Sequence, residues 1–173
     1  MRFQRFAPAA ALAIASLSFA AVASPTFPAV AAGTPQLFER TATYPVYLNV
    51  PAGVDPAAET VAEISTVTPD GNTVIYTDAA GKRIGFLDIS TPAAPQGLGT
   101  VSLAELGHAD DQPTSVAAYG DYVLVVIDET GGDFPNPKGR VDVLRVSDRT
   151  RVASIALGGQ PDSIAISHDG KVA

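Results

Sequence analysis

Apolar positions along the chain fall into two regimes. The first is one continuous run near the start, where residues 7–22 carry no charge and follow Arg2 and Arg5. The second begins at Val61, where short stretches rich in Val, Ile, Thr and Tyr alternate with Gly, Pro, Asp and Asn turns. Residues 73–77 (TVIYT), 83–89 (RIGFLDI) and 99–103 (GTVSL) read as strands after an opening segment at 61–68. The same grammar returns at 115–118, 122–127 (YVLVVI), 140–146 (RVDVLRV) and 151–157 (RVASIAL). YVLVVI is apolar throughout, as a strand covered on both faces requires. RVDVLRV places its apolar residues mostly at alternate positions, which predicts a half-buried outer strand. Turns are expected at Asp70-Gly71, Gly81-Lys82 and Asp169-Gly170, because glycine takes the positive φ that tight hairpins demand. No segment after residue 23 shows helical periodicity.

These stretches repeat. Residues 61–72, 112–121 and 160–171 stack on one another, with QP-x-S shared by the second and third. From Val61 to Gln112 is 51 residues and from Gln112 to Gln160 is 48. A recurrence of about 40–50 residues, with four strands in each, is the period of β-propeller blades. The predicted fold is therefore an all-β propeller with about two complete four-stranded blades and the start of a third, an incomplete ring. The blades are expected at roughly 61–111, 112–159 and 160–173, within a partial propeller spanning 59–173. A β-sandwich also has short, closely spaced strands, but it would not produce the QP-x-S recurrence. Since a closed ring takes roughly four to eight blades, the sequence reads as an N-terminal fragment. Residues 24–58, rich in Ala, Pro and Thr, are expected to form a linker and a closing strand around 44–50.

The leading apolar run changes the compartment. Two arginines, an uncharged Ala-rich stretch and Ala21-Val22-Ala23 form a signal-peptide pattern over residues 1–23, with cleavage before Ser24. The run is too short and too Ala-rich for a strong membrane span, and no later segment offers one. Export to the periplasm or the extracellular space follows. The whole chain of 173 residues carries 11 basic and 18 acidic side chains, a net charge of −7, which becomes −9 once Arg2 and Arg5 are removed. Such a balance excludes a nucleic-acid partner held by phosphate contacts. The absence of cysteine excludes disulfides, thiolate metal sites and a cysteine nucleophile, leaving oxygen and imidazole ligands that favour a hard cation such as Ca2+.

Candidate chemistry follows from the stacking. Glu63, Thr114 and Asp162 fall at the same place in the three repeats, the N-terminal end of each innermost strand. Carboxylates converging there would hold calcium, which takes 6–8 oxygens, and a bound cation would polarise a phosphate ester and activate water. Capping of strand ends is the plainer role for the same side chains. Asp128 and Glu129 close the strand YVLVVI and begin the loop 130–138 (TGGDFPNPK), where paired carboxylates suit cation binding or acid–base work. A solvated turn is the alternative. His108, Asp110 and Asp111 precede the second repeat without a spacing that fixes a metal geometry, and read as a polar connecting loop. No G-x-S-x-G elbow, H-E-x-x-H pair or phosphate-binding Gly-rich loop is present, and the serines that recur in every repeat belong to the scaffold.

The segments ETVAEIS, TPDGNTVIYTD, KRIGFLDIS, QPTSVA, YVLVVIDE, GRVDVLRV and LGGQPDSIAIS resemble exported bacterial proteins of the esterase-like, phytase-like β-propeller family. They are also similar to the neighbouring choice-of-anchor and alkaline-phosphatase-labelled groups and to YVTN-type surface propellers. The likeness runs from about Ala42 to Ala173. It implies a propeller acting on phosphate or carboxylic esters, a hydrolase with a small-molecule ester as substrate. The alternative is a non-catalytic surface propeller that binds a protein or glycan.

Overall fold

The computed structural model describes residues 38–173. The leader pattern at 1–23 and the first part of the linker, 24–37, lie outside them. Eight strands form two antiparallel sheets of four, each in simple sequential order. Sheet 1 holds β1 (Ala62–Val67), β2 (Thr73–Asp78), β3 (Arg83–Asp88) and β4 (Gln96–Ser102). Sheet 2 holds β5 (Gln112–Tyr119), β6 (Tyr122–Asp128), β7 (Gly139–Arg145) and β8 (Arg151–Leu157). The fold is all-β, and two sheets of this kind are what two blades would look like.

Pairing registers make the sheets copies of one another. Arg83 opens β3 opposite Asp78, and Arg140 stands in β7 opposite Ile127. The ladder to the outermost strand slips between Phe86 and Leu87 in sheet 1, and between Val143 and Leu144 in sheet 2. Both slips are bulges that push one residue out, Leu98 and Val152 respectively, and both are exposed. The first strand of each sheet is irregular too, between Ala62 and Ser65 and between Pro113 and Ser115.

A shared apolar core lies between the sheets. Ile75, Ile84, Phe86 and Val101 of sheet 1 belong to one buried cluster with Val116, Val123, Val125, Ile127 and Leu144 of sheet 2. The period of two along each strand places those residues on a single face. Leu103 joins them from α1 (Leu103–Leu106), a single helical turn that the sequence pattern did not predict. Polar links reinforce the packing. The Ala118 N–H donates to Thr66 Oγ1 across the sheets at 3.2 Å, and the Arg149 guanidinium sits 4.9 Å from the Phe86 ring centre. Cation–π contacts of that kind contribute about 0.5–1 kcal/mol at exposed sites.

Several expectations are corrected. The predicted closing strand at 44–50 is instead a 3-10 turn, Val46–Asn49, packed on sheet 1. RVDVLRV is not an outer strand: β7 pairs with strands on both sides, Arg140, Val141, Asp142 and Leu144 are buried, and Val143, Arg145 and Val146 are half-buried. In the β2–β3 turn the positive φ falls on Lys82 (52°), not on Gly81. The opening segment of the third repeat, 160–173, forms no strand among the described residues, because no further strand pairs with it. It lies along sheet 2 through Ile164 and Ala165, beside Leu124, Val126, Val141 and Ile155. Its turn nevertheless copies that of the first repeat. Gly71 (φ 76°) and Gly170 (φ 68°) each donate back to residues 68 and 167 at 2.8 Å, and Asp70 and Asp169 accept from Thr68 and Ser167.

Candidate functional site

The three repeats begin on one rim, where the β2–β3 turn, the start of β5, the end of β6 and residue 160 come together. The sequence-derived candidates are distributed unevenly over it. Glu63 and Thr114 both fall within the irregular stretches that open β1 and β5, so the registers treat them as equivalent. Glu63 is exposed, and so is Asp162. The Thr114 hydroxyl donates to the Pro161 carbonyl at 3.0 Å, tying sheet 2 to the third repeat. Among the described residues, no three His, Cys, Asp or Glu side chains are grouped so as to hold a metal ion.

Asp128 and Glu129 are adjacent in sequence but face different partners. Asp128 accepts from the Thr130 N–H at 2.8 Å and from the Gln160 amide at 2.7 Å. Burial pushes its carboxyl upward, but the hydrogen bonds from Thr130 and Gln160 outweigh burial and hold it below the ordinary carboxylate range. It is therefore a fixed anion at neutral pH and poorly suited to donate a proton. Glu129 turns instead toward Arg140 Nη1, at 2.6 Å.

Arg140 is the centre of a network that sequence reasoning missed. Its Nη1 also donates to Asp111 Oδ2 at 2.6 Å and its Nε to Asp142 Oδ2 at 3.0 Å. Arg151 reaches the same Asp142 oxygen at 3.3 Å and the Leu106 carbonyl. Desolvation opposes the guanidinium charge, but the hydrogen bonds it donates to Asp111, Asp142 and Glu129 raise its pKa above the ordinary value. Asp142 is 0% exposed, and its Oδ1 and Arg140 Nη2 have no hydrogen-bond partner among the described residues. Gly107 makes room for the cluster: a Cβ there would stand 2.5 Å from Asp111 Oδ2 and 2.7 Å from Arg140 Nη2. The spacing of Arg140 and Asp142 was the available signal. Two residues apart in a strand, opposite charges share a face. The loop carrying His108 and Asp110 is exposed as expected, but Asp111 beside it is buried and accepts from the His108 N–H at 3.0 Å. Asp110 pairs with Lys82 at 3.2 Å on the surface.

The cleft on this rim has a volume of about 350 Å3. Lys82, Asp110, Gln112, Asp128 and Gln160 line it, with Phe134 at its edge. A second, larger cleft of about 590 Å3 opens at the other ends of the strands, between the Asp70 turn, Gly120–Tyr122 and Arg145. There Arg145 is already paired with Asp148 at 2.7 Å.

Comparison with known proteins gives a family and no curated relative. The model of the choice-of-anchor I domain matches residues 63–173. No curated protein matches. Among solved structures, hydrazine synthase of Kuenenia stuttgartiensis aligns with a TM-score of 0.48 and 24% identity, covering 64% of this chain and 28% of that one. A candidate 6-phosphogluconolactonase from Bacteroides uniformis aligns with a TM-score of 0.38 and 14% identity, covering 69% and 48%. The chain thus spans about a quarter of the first and about half of the second.

Proposed function

The chain belongs to the choice-of-anchor I domain family, and from that premise we propose that it is a surface β-propeller scaffold that binds a partner through the rim where its repeats begin. In this reading the two sheets are successive blades. Family membership fits an exported or cell-surface protein, as does the leader pattern at residues 1–23.

One observation carries the binding reading over ester hydrolysis. The candidate residues are spent or scattered: of the three that the repeats align, Thr114 is bonded to the Pro161 carbonyl and Glu63 and Asp162 are exposed, while Glu129 is held by Arg140. Asp128 is held as a carboxylate by hydrogen bonds from Thr130 and Gln160 rather than poised to exchange a proton. What the rim does present is a polar cleft between elements that are each anchored to the core. Hydrolysis assisted by calcium is the second reading, favoured by the resemblance to phytase-like propellers and by the equivalent placement of Glu63 and Thr114.

An activity assay separates the two. The purified chain is expected to show no turnover of p-nitrophenyl phosphate, phytate or short acyl esters, with or without added calcium. Turnover abolished by EDTA and by Glu63→Ala or Asp162→Ala would overturn the binding reading in favour of metal-assisted hydrolysis.

A further inference from the structure

Resting on the binding reading above, we propose that the rim cleft between Lys82 and Phe134 is a site for a neutral, polyhydroxylated ligand, a sugar ring of a surface glycan. Its chemistry follows from what lines it. The one lining cation, Lys82, donates to the Ala109 carbonyl at 3.0 Å and to Asp110 at 3.2 Å, so no free positive charge is left for a phosphate or carboxylate. Asp128 adds a fixed negative charge, which repels anions further. Phe134 is the one large apolar side chain at the cleft, too little for a hydrophobic ligand. The amides of Gln112 and Gln160 and the carboxylates of Asp110 and Asp128 are planar groups whose remaining lone pairs and N–H groups suit paired hydroxyls.

Phe134 supplies the second half of the recognition. It is 72% exposed, which is unfavourable for a phenyl ring in water, and it lines the cleft. Its loop is preorganised. The Glu129 N–H donates to the Lys138 carbonyl at 3.0 Å, buried Thr130 bonds Lys138 in both directions at 3.3 Å, and the Asn136 amide bonds both Asp133 oxygens at 3.2 Å. Pro135 and Pro137 flank Asn136 and restrict the backbone further. A ring held ready loses little freedom when the apolar face of a sugar stacks on it. The volume of about 350 Å3 lies at the lower end of ordinary ligand sites, enough for a terminal residue rather than a long chain.

Saturation-transfer NMR on the full chain tests this with methyl glucoside, methyl mannoside, N-acetylglucosamine and myo-inositol, with inorganic phosphate and tetramethylammonium as competitors. Saturation transfer to the ring protons of at least one sugar is expected, unaffected by phosphate. Phe134→Ala, an exposed change, should leave thermal unfolding unaltered and weaken binding about tenfold, the size of a lost stacking contact. Gln160→Ala should weaken it by a similar factor. Absence of transfer to every sugar, equal binding by Phe134→Ala, or displacement by tetramethylammonium would overturn the proposal. None of these outcomes depends on the ester-hydrolysis assay, so the site and the binding reading fail separately.

Discussion

Sheet 1 and sheet 2 share one strand order and one pattern of bulges, yet they hold their third strands in opposite ways. Arg83 and Arg140 occupy corresponding positions. In sheet 1 the residue paired with the arginine is Asp78, whose Oδ2 lies 2.9 Å from Arg83 Nε, an ion pair whose geometry falls short of a hydrogen bond. In sheet 2 the paired residue is Ile127, and the charge is met from three other directions by Asp111, Glu129 and Asp142. Position 85 of sheet 1 is a glycine over which the Tyr76 ring lies; the corresponding position of sheet 2 is Asp142. One sheet thus satisfies its interior with a local pair and a neutral aromatic cover, the other with a charged hub that draws in the connecting segment before β5. The difference teaches that the repeated backbone does not prescribe the interior chemistry. The hub also explains why residues 107–111, a loop by composition, are anchored at Asp111.

The contrast is broken most directly at the arginines. Arg140→Met leaves Asp111 and Glu129 without their cation and Asp142 with Arg151 alone at 3.3 Å, and is expected to cost about 5 kcal/mol, the upper part of the range for a broken buried ion pair. Arg83→Met strands only Asp78, which still accepts from the Val61 and Gly81 N–H groups at 2.9 Å, and should cost about 3 kcal/mol. Denaturant midpoints of the two variants measure this. Equal losses would mean that the hub adds nothing beyond a single pair.

A smaller effect is expected where sheet 1 uses an amide. Asn49 is buried on the 3-10 turn and fills the bulge between β3 and β4. Its Nδ2 donates to Tyr76 Oη and to the Phe86 and Gly99 carbonyls at 3.0 to 3.2 Å, and its Oδ1 accepts from the Gly99 N–H at 2.7 Å. Burial raises the Tyr76 pKa, so the phenol stays neutral beside it. Asn49→Ala leaves backbone groups unpaired in a dry site and should cost about 2 kcal/mol, while Asn49→Asp, which keeps the acceptor but loses the three donations, should be no better. The measurement is again the denaturant midpoint. A loss below about 0.5 kcal/mol, the lower end for one hydrogen bond, would show that water replaces the plug.

Much of this architecture was legible beforehand because strands obey a period that the sequence prints. Residues 151–157 were bounded as they occur, and β2, β3 and β6 were displaced by one residue at most. The innermost strands were legible as a repeat, and Glu63 and Thr114 do occupy matching positions. What the period could not show is burial of charge. An arginine and an aspartate between valines look like the wet side of an outer strand until the strand outside it and the segment before β5 are in place. Asn49 left no trace in the pattern at all, because its value lies in backbone groups that a bulge 50 residues away sets free. The third repeat was over-read for the same reason: its turn is encoded locally, but a strand needs a partner.

The smallest expected effect separates interior from exposed charge. Asp148 accepts from the Thr150 hydroxyl and N–H and from Arg145, which together hold its carboxyl down to about 2. Asp70, held down by the Thr68 hydroxyl and then by Asn72, plays the same part in a turn of sheet 1. A carboxyl whose pKa is lower in the folded chain than in the unfolded one contributes stability that is present above about pH 4, the unfolded value. That contribution disappears as the pH falls through the folded value. The denaturant midpoint should therefore hold steady from pH 7 to 5 and fall between about 4 and 2. Asp148→Asn and Asp70→Asn should each lower the midpoint slightly at pH 7 and flatten the acid decline by a similar amount, because the two turns are alike even though the two interiors are not. If both variants decline as steeply as the parent, the two turn carboxylates are not the source of the acid decline, and the likeness drawn between the turns fails.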